Sequence, residues 1–455
     1  MPQPTRRRFV QAAAATTAAS YGRILGANDR VQLGFIGYGL IGGQHVYDFK
    51  NQKDADLAGM CDVYQPRLDE GVAACGGRAK AYRDFRKMLD DKDIQAVVIG
   101  TPDHWHALMA IMACAAGKDV YVQKPLTLFV REGRRLATAA ARYQRVVQVG
   151  TQQRSGKHYQ KAREVLRAGH IGKIHSVRMA SFRNIMPGFG SPPDGTAPPE
   201  LDYDMWLGPA PLRAYNPHRA LYHFRWFWDY SGGQMTNLAA HEIDIAQWAL
   251  GVAGPTSVAS TGGRFALQDN GETPDTQDAL FEYPGFNATW SHREASAGSH
   301  LNDGMEFFGP KGSLVISRSG FRVIPDPQLD PANRIPTFRG HPAGGPKNTR
   351  GTTSGPAPGP WTTAMTERGS SDEQFDLHAR NFLDCVKSRE QPIASVEDGH
   401  RVATACHLAN ISLKVGRKIR WDAASERILD DAAAESMLER PYRKPWDGVL
   451  RSLNL

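Results

Sequence analysis

The sequence predicts a two-part α/β chain: a doubly wound domain built on a parallel sheet, then an α+β domain whose sheet is mostly antiparallel. Three observations carry this. At 455 residues the chain is too long for one ordinary core. From Val31 to Gly150, short β-rich runs alternate with helical patterns, as strands joined by crossover helices do. Beyond Gly150 the strands come in close pairs with hairpin punctuation.

In the first part, Val31–Ile36, Asp56–Cys61, Gln95–Gly100, Asp119–Val122 and Arg145–Val149 read as strands. Helical patterns fall between them, near Gly42–Asn51, Pro66–Cys75, His104–Ala116 and Val130–Tyr143. In the second part, Lys157–Ala168 is an amphipathic helix stopped by Gly169, and Lys173–Asn184 a long strand. Gln277–Tyr283, Phe286–Arg293, Met305–Phe308 and Ser313–Ser317 are short strands, separated by Pro284-Gly285 and by Gly309 to Gly312. Residues 325–371 are rich in Pro, Gly, Ser and Thr and read as a surface excursion. Asp372–Ser388 and Asp398–Val415 return to helix. The expected divisions are 1–30, 31–150, 151–421 and a C-terminal segment 422–455.

Composition excludes several classes. Hydrophobic residues at 41% and charged residues at 22% suit a soluble globular chain, and no run reaches the ~20 apolar residues of a membrane span. The net charge of +8 is concentrated at the start, where residues 1–30 hold Arg6, Arg7, Arg8, Arg23 and Arg30 against Asp29 alone. No basic cluster remains elsewhere, so no nucleic-acid partner is expected. Cys61, Cys75, Cys114, Cys385 and Cys406 include no C-x-x-C pair, which argues against a metal site and a disulfide framework.

Thr5-Arg6-Arg7-Arg8-Phe9-Val10, followed by an alanine-rich run to Ser20, resembles a twin-arginine export signal. The expectation is an exported, periplasmic protein delivered by the twin-arginine machinery. That route passes folded proteins, so a tightly held cofactor could travel with the chain.

Leu33 to Ile36 runs into Gly37-Tyr38-Gly39-Leu40-Ile41-Gly42 and then into helix, and the next strand ends at Asp62, 20 residues further on. A preceding strand, a following helix and an acidic residue at that distance make a dinucleotide site. Gly37 permits the tight turn, Gly39 the approach of a diphosphate, and Gly42 close packing of the helix. The N–H groups of Tyr38, Leu40 and Ile41 fall at the helix start, where a diphosphate is held. Asp62 would accept from a ribose 2′-hydroxyl and repel a 2′-phosphate, which favours NAD over NADP. Nearby Arg67 tempers that preference.

The chain resembles the Gfo/Idh/MocA oxidoreductases from about Val31 to Trp421. Thr101-Pro102-Asp103-His104-Trp105-His106 follows the strand ending at Gly100, where that family places its cofactor-lining Thr-Pro turn and a later His. Gln123-Lys124-Pro125 matches its Glu-Lys-Pro segment with Gln123 in place of Glu. Gly232-Gly233, Asn237, His241 and Asp244 match its Gly-Gly, Asp, His, Asp pattern with Asn237 in place of Asp. The resemblance implies a Rossmann domain, an open-faced sheet domain, a homo-oligomer, and cofactor contacts at Thr101, Pro102, His106, Gln123 and Lys124.

The residues support the last two motifs on their own. Asn237, His241, Asp244 and Trp248 are spaced 4, 3 and 4 apart, which predicts one polar stripe on a buried helix stopped by Gly251. Lys124 ends a strand, where a doubly wound sheet opens its ligand crevice. Oxidising a secondary alcohol removes hydride from carbon and a proton from oxygen. His241 is the candidate base, Lys124 the donor to the same oxygen, and Asp244 a partner of the imidazole or of a neighbouring hydroxyl. Gln123 and Asn237 each remove a carboxylate, so the family's proton relay does not carry over intact.

Tyr203 to Tyr230 holds 9 aromatics in 28 residues against a chain average of 9%. Aromatic faces beside His223 and Arg225 suit the faces and hydroxyl edges of a sugar or cyclitol. Three readings follow: an exported NAD-dependent oxidoreductase of sugars, polyols or cyclitols; a glycoside-cleaving enzyme that oxidises transiently, eliminates and returns the hydride; and a sugar-binding relative without catalysis.

Overall fold

Val31–Ile36, Ala96–Ile99, Asp119–Gln123 and Val147–Gly150 are buried at nearly every position, as strands of a sheet covered on both faces require. In the computed structural model, which describes residues 30–298, 304–328 and 359–455, they belong to a six-stranded parallel sheet. Apart from Arg30, the proposed export signal lies outside the described residues. The elements are β1 (Val31–Ile36), α1 (Leu40–Lys50), β2 (Ala55–Cys61), α2 (Gln65–Ala74), β3 (Lys80–Tyr82), α3 (Phe85–Asp90), β4 (Ala96–Ile99), α4 (Asp103–Ala115), β5 (Asp119–Gln123), α5 (Val130–Arg142) and β6 (Val147–Gly150). Strand order is β3-β2-β1-β4-β5-β6, so the direction in which successive strands are added reverses between β1 and β4. A ligand crevice opens at such a point. Two cores flank the sheet, one containing Phe35, Phe49 and Tyr121, the other Val97, Leu108 and Val122.

The second part contains α6 (Lys157–Arg167), β7 (Ser176–Phe182), α7 (Tyr203–Leu207), α8 (Gly233–Asn237), α9 (Ala239–Leu250), β8 (Ser257–Gly263), β9 (Thr276–Tyr283), β10 (Phe286–Arg293), β11 (Gly304–Gly309), β12 (Gly312–Ser317), β13 (Gly320–Pro325), β14 (Met365–Arg368), α10 (Ser371–Ser388), α11 (Val396–Val415), β15 (Ile419–Asp422), β16 (Arg427–Leu429), α12 (Ala432–Glu435) and α13 (Val449–Ser452). Its ten strands order as β14-β13-β12-β11-β7-β10-β9-β8-β15-β16, antiparallel except for the β7–β10 pair. Burial alternates along β9 and β10, so one face carries the core of Trp290, Phe281 and Phe307 under the helices.

Several short strands were not evident from sequence. The Ser257–Gly263 strand reads SVASTGG, without apolar alternation, and owes its state to pairing with β9. Within the 325–371 stretch, β14 pairs with β13, while 329–358 lies outside the described residues. Two late segments return to the first sheet. Phe382 of α10 meets Phe49 and Tyr121, with ring centroids at 6.0 and 5.8 Å, and Trp446 packs against Phe85 and Trp105. No helix among the described residues is long and apolar enough to cross a membrane.

Candidate active site

The glycine loop has the geometry its sequence requires. Gly37 adopts φ +90°, a region an L side chain disfavours, and donates its N–H to the Cys61 carbonyl at 2.8 Å. A Cβ on Gly42 would sit 2.0 Å from the Gly37 carbonyl oxygen, so only glycine lets α1 pack this close. Gly39 differs. A Cβ there would meet only Arg67 Nη1, at 3.6 Å, so protein packing does not demand glycine and the position opens on the crevice. No side chain caps α1. Its first-turn N–H groups are therefore left for a ligand.

That crevice is a cleft lined from both parts of the chain. One wall carries Gly37, Gly39, Leu40, Ile41, Asp62, Arg67, Thr101 and Pro102; the other carries Trp206, Tyr222, Phe224 and Arg225 from the second part. Asp62 accepts from the N–H groups of Tyr38 at 2.8 Å and Tyr64 at 2.9 Å, which braces the loop and turns the carboxylate to the cleft. Burial raises its pKa against the pull of those two donors. The buried Thr101 hydroxyl has no partner among the described residues. An open Gly39, uncapped helix N–H groups, an acidic residue at the ribose distance and an unsatisfied hydroxyl all suit a dinucleotide. His106 does not line this wall. It is buried behind it, its ring nitrogens 2.7 Å from the Pro125 carbonyl and 2.9 Å from that of Thr101, and so ties the two turns together.

Lys124 follows β5 directly. Its Nζ donates to the main-chain oxygen of Asn237 at 2.8 Å and to its side-chain oxygen at 3.0 Å. The acceptors are neutral, and burial pushes the ammonium down to about 8 despite the Asp103 charge nearby. Gln123 holds the lysine from behind: its Oε1 accepts from the Lys124 N–H at 2.9 Å, and its Nε2 meets His45 Nε2 at 2.8 Å. An amide thus joins an imidazole to the lysine backbone where the resemblance implied a carboxylate.

The single polar stripe expected from Asn237 to Trp248 is corrected by the structure. Asn237 ends α8, Leu238 interrupts, and α9 begins at Ala239. The break releases the Asn237 carbonyl from helix bonding, and Lys124 takes it. His241, in the first turn of α9, is 7% exposed, and its Nδ1 has no partner among the described residues. Burial first, then the charges of Lys124 and Arg318, hold its pKa well below the usual value, so the imidazole is neutral.

Asp244 sits elsewhere. Both of its oxygens accept from Arg154, at 2.7 to 3.0 Å, in a pair that is 2% and 1% exposed. It meets neither the imidazole nor the cleft wall, because the Arg154 guanidinium, with the Thr151 hydroxyl, holds it in place. His223 stacks on Phe189 at 4.5 Å and belongs to an aromatic cluster with His218 and Trp226. Arg225 lines the cofactor cleft, lies 4.5 Å over the Phe224 ring and donates to the Tyr222 carbonyl at 2.8 Å. Two residues near the lysine escaped sequence reading. Asp103, bonded by the Ser231 hydroxyl, is signalled only by its place in the Thr-Pro-Asp run. Arg318, in the β12–β13 turn, has no sequence signal at all.

The comparisons agree with this geometry. Residues 31–151 match the Gfo/Idh/MocA description "Oxidoreductase family, NAD-binding Rossmann fold", and residues 183–261 and 369–448 match that family's C-terminal alpha/beta domain. A myo-inositol 2-dehydrogenase of Thermotoga maritima is 24% identical over 398 residues, 86% of this chain and 99% of that one. A glycosyl hydrolase family 109 protein of a Shewanella strain is 30% identical over 154 residues, 32% of this chain and 34% of that one. In fold, a levoglucosan dehydrogenase solved with NADH and levoglucosan superposes with a TM-score of 0.63 at 20% identity, over 86% of this chain and 99% of the other. With both parts matched and the dinucleotide cleft formed between them, the chain belongs to the Gfo/Idh/MocA family and is an NAD-dependent oxidoreductase.

Proposed function

We propose that this enzyme transfers hydride between a secondary hydroxyl of a sugar, polyol or cyclitol and nicotinamide. The observation that carries the reading is a lysine held by neutral acceptors directly after β5, whose charge acts on a buried, uncharged histidine. Gly39, the start of α1, Asp62 and Thr101 would hold the dinucleotide, which when bound supplies the hydride acceptor or donor. Lys124 donates from Nζ to the reacting oxygen and stabilises its alkoxide character. His241 takes the hydroxyl proton on a free ring nitrogen. The names of the myo-inositol and levoglucosan dehydrogenases support this substrate class.

The test is reduction of NAD by a panel of sugars and cyclitols, followed by reduced-nicotinamide absorbance, with Lys124→Met and His241→Ala alongside. Each variant should lose about 10²- to 10⁴-fold in rate. Turnover that survives both substitutions would refute the assignment. The glycoside-cleaving cycle has narrower support, since the likeness to the glycosyl hydrolase covers a third of the chain; aglycone release without net NADH would favour it. We also read the Arg6-Arg7-Arg8 segment as an export signal, which predicts that replacing Arg6 and Arg7 with lysine retains the protein inside the cell.

A further inference from the structure

The dinucleotide cleft takes a wall from each part of the chain, and its charges do not balance. Among the described residues that line it, the charged ones are Asp62, Arg67 and Arg225. Asp62 is already held by two loop N–H groups and faces the ribose position. Arg67 reaches over the glycine loop, where a Cβ on Gly39 would lie 3.6 Å from its Nη1. Arg225 comes from the opposite wall, and the two guanidinium groups repel one another across the opening.

Arg225 is half-buried, and it is braced without being neutralised. Its Nη1 donates to the Tyr222 carbonyl at 2.8 Å, and the guanidinium lies 4.5 Å over the Phe224 ring and 5.2 Å over that of Tyr222. That carbonyl is its one hydrogen-bond acceptor among the described residues, so Nε and Nη2 keep donors for a ligand. The segment is fixed in place. Trp226 Nε1 donates to the buried Glu294 at 2.8 Å, and Trp105 Nε1, from the first part, donates to the Trp206 carbonyl at 3.0 Å, which docks this wall beside the Thr101-Pro102 turn. A dinucleotide carries its negative charge on the diphosphate alone, whereas the apolar lining of Phe85, Trp105 and Met109 suits an adenine ring.

We propose that Arg225 pairs with the diphosphate of the dinucleotide, closing over it from the second part while the start of α1 holds it from the first. The guanidinium fork matches paired phosphate oxygens, and the bound dinucleotide then joins the two walls of the cleft. Arg225 thus serves cofactor retention and not a substrate hydroxyl. A charge-assisted contact of this kind contributes about ten- to a hundredfold in affinity.

The test is calorimetric titration of the nucleotide-free full chain with NAD and with ADP-ribose, which keeps the diphosphate but lacks nicotinamide, and competition by adenosine, which has no phosphate. Arg225→Gln should weaken NAD and ADP-ribose alike, by about ten- to a hundredfold, and leave adenosine unchanged. Arg225→Lys, which keeps the charge and loses the fork, should fall between the two, and added salt should narrow the gap between parent and Arg225→Gln. A loss confined to NAD would place Arg225 at the nicotinamide end and overturn the inference. So would unchanged affinity for both ligands, or an equal loss for adenosine, which would mean that the wall itself had collapsed. None of these readouts involves turnover, so the inference can fail while the sugar or cyclitol dehydrogenase reading stands.

Discussion

Lys124 Nζ bonds both oxygens of Asn237, main-chain at 2.8 Å and amide at 3.0 Å, so the reacting lysine is positioned by a residue that carries no charge. Restoring a carboxylate there should therefore act on electrostatics more than on position. In Asn237→Asp the lysine pKa should rise by about one to three units above its value of about 8. The alkaline limb of the kcat/KM profile should move up with it. An unmoved limb would mean that Lys124 is not the group titrating there.

The same depressed lysine sets a stability signature. Its folded pKa of about 8 lies below the unfolded value near 10.4. Below pH 8 both states carry the proton and the burial penalty is complete. Between about pH 8 and 10 the unfolded state binds more protons, and this site's contribution rises with pH. Lys124→Met should thus be more stable than the parent at pH 7, by about 1–2 kcal/mol, and should lose the parent's gain above pH 8. Urea melts at pH 7 and pH 9 measure both.

Asp62 braces the glycine loop through the N–H groups of Tyr38 and Tyr64 and also faces the ribose position. Asp62→Asn keeps the size but removes the charge that repels a 2′-phosphate, with Arg67 on the same wall, and gives up one of the two braces because its amide nitrogen cannot accept. NAD affinity should fall about tenfold, and the NAD-to-NADP ratio should shift toward NADP. Fluorescence titration with each nucleotide reads the ratio, and an unchanged ratio would remove Asp62 from cofactor selection.

Breaking the Arg154–Asp244 pair should be costly. With the pair almost wholly buried, Asp244→Leu leaves the Arg154 guanidinium only Asp398 and the Ile393 carbonyl, each at 3.0 Å, and should cost about 3 kcal/mol of stability. Replacing both partners by leucine should recover part of that loss, seen as a partial return of the urea midpoint. A single substitution that leaves the midpoint in place would contradict the structural role.

Sequence alone determined what depends on local spacing. Gly37, Gly39 and Gly42 lie within one turn, and Asp62 follows at the end of the next strand, so chain connectivity nearly fixes the dinucleotide wall. Lys124 was legible for the same reason: a strand end in a parallel sheet has a known place. Tertiary structure decided whatever depends on contacts distant in the chain. Asp244 stands three residues from His241, yet it answers to Arg154, 90 residues away, because a buried carboxylate settles where a guanidinium can satisfy it. The interruption at Leu238 decided that Asn237 would serve Lys124 rather than extend the histidine's helix. The Ser257–Gly263 segment, without apolar alternation, is a strand only through its register with β9. Such register depends on which strands pair, and no short window of sequence encodes that pairing.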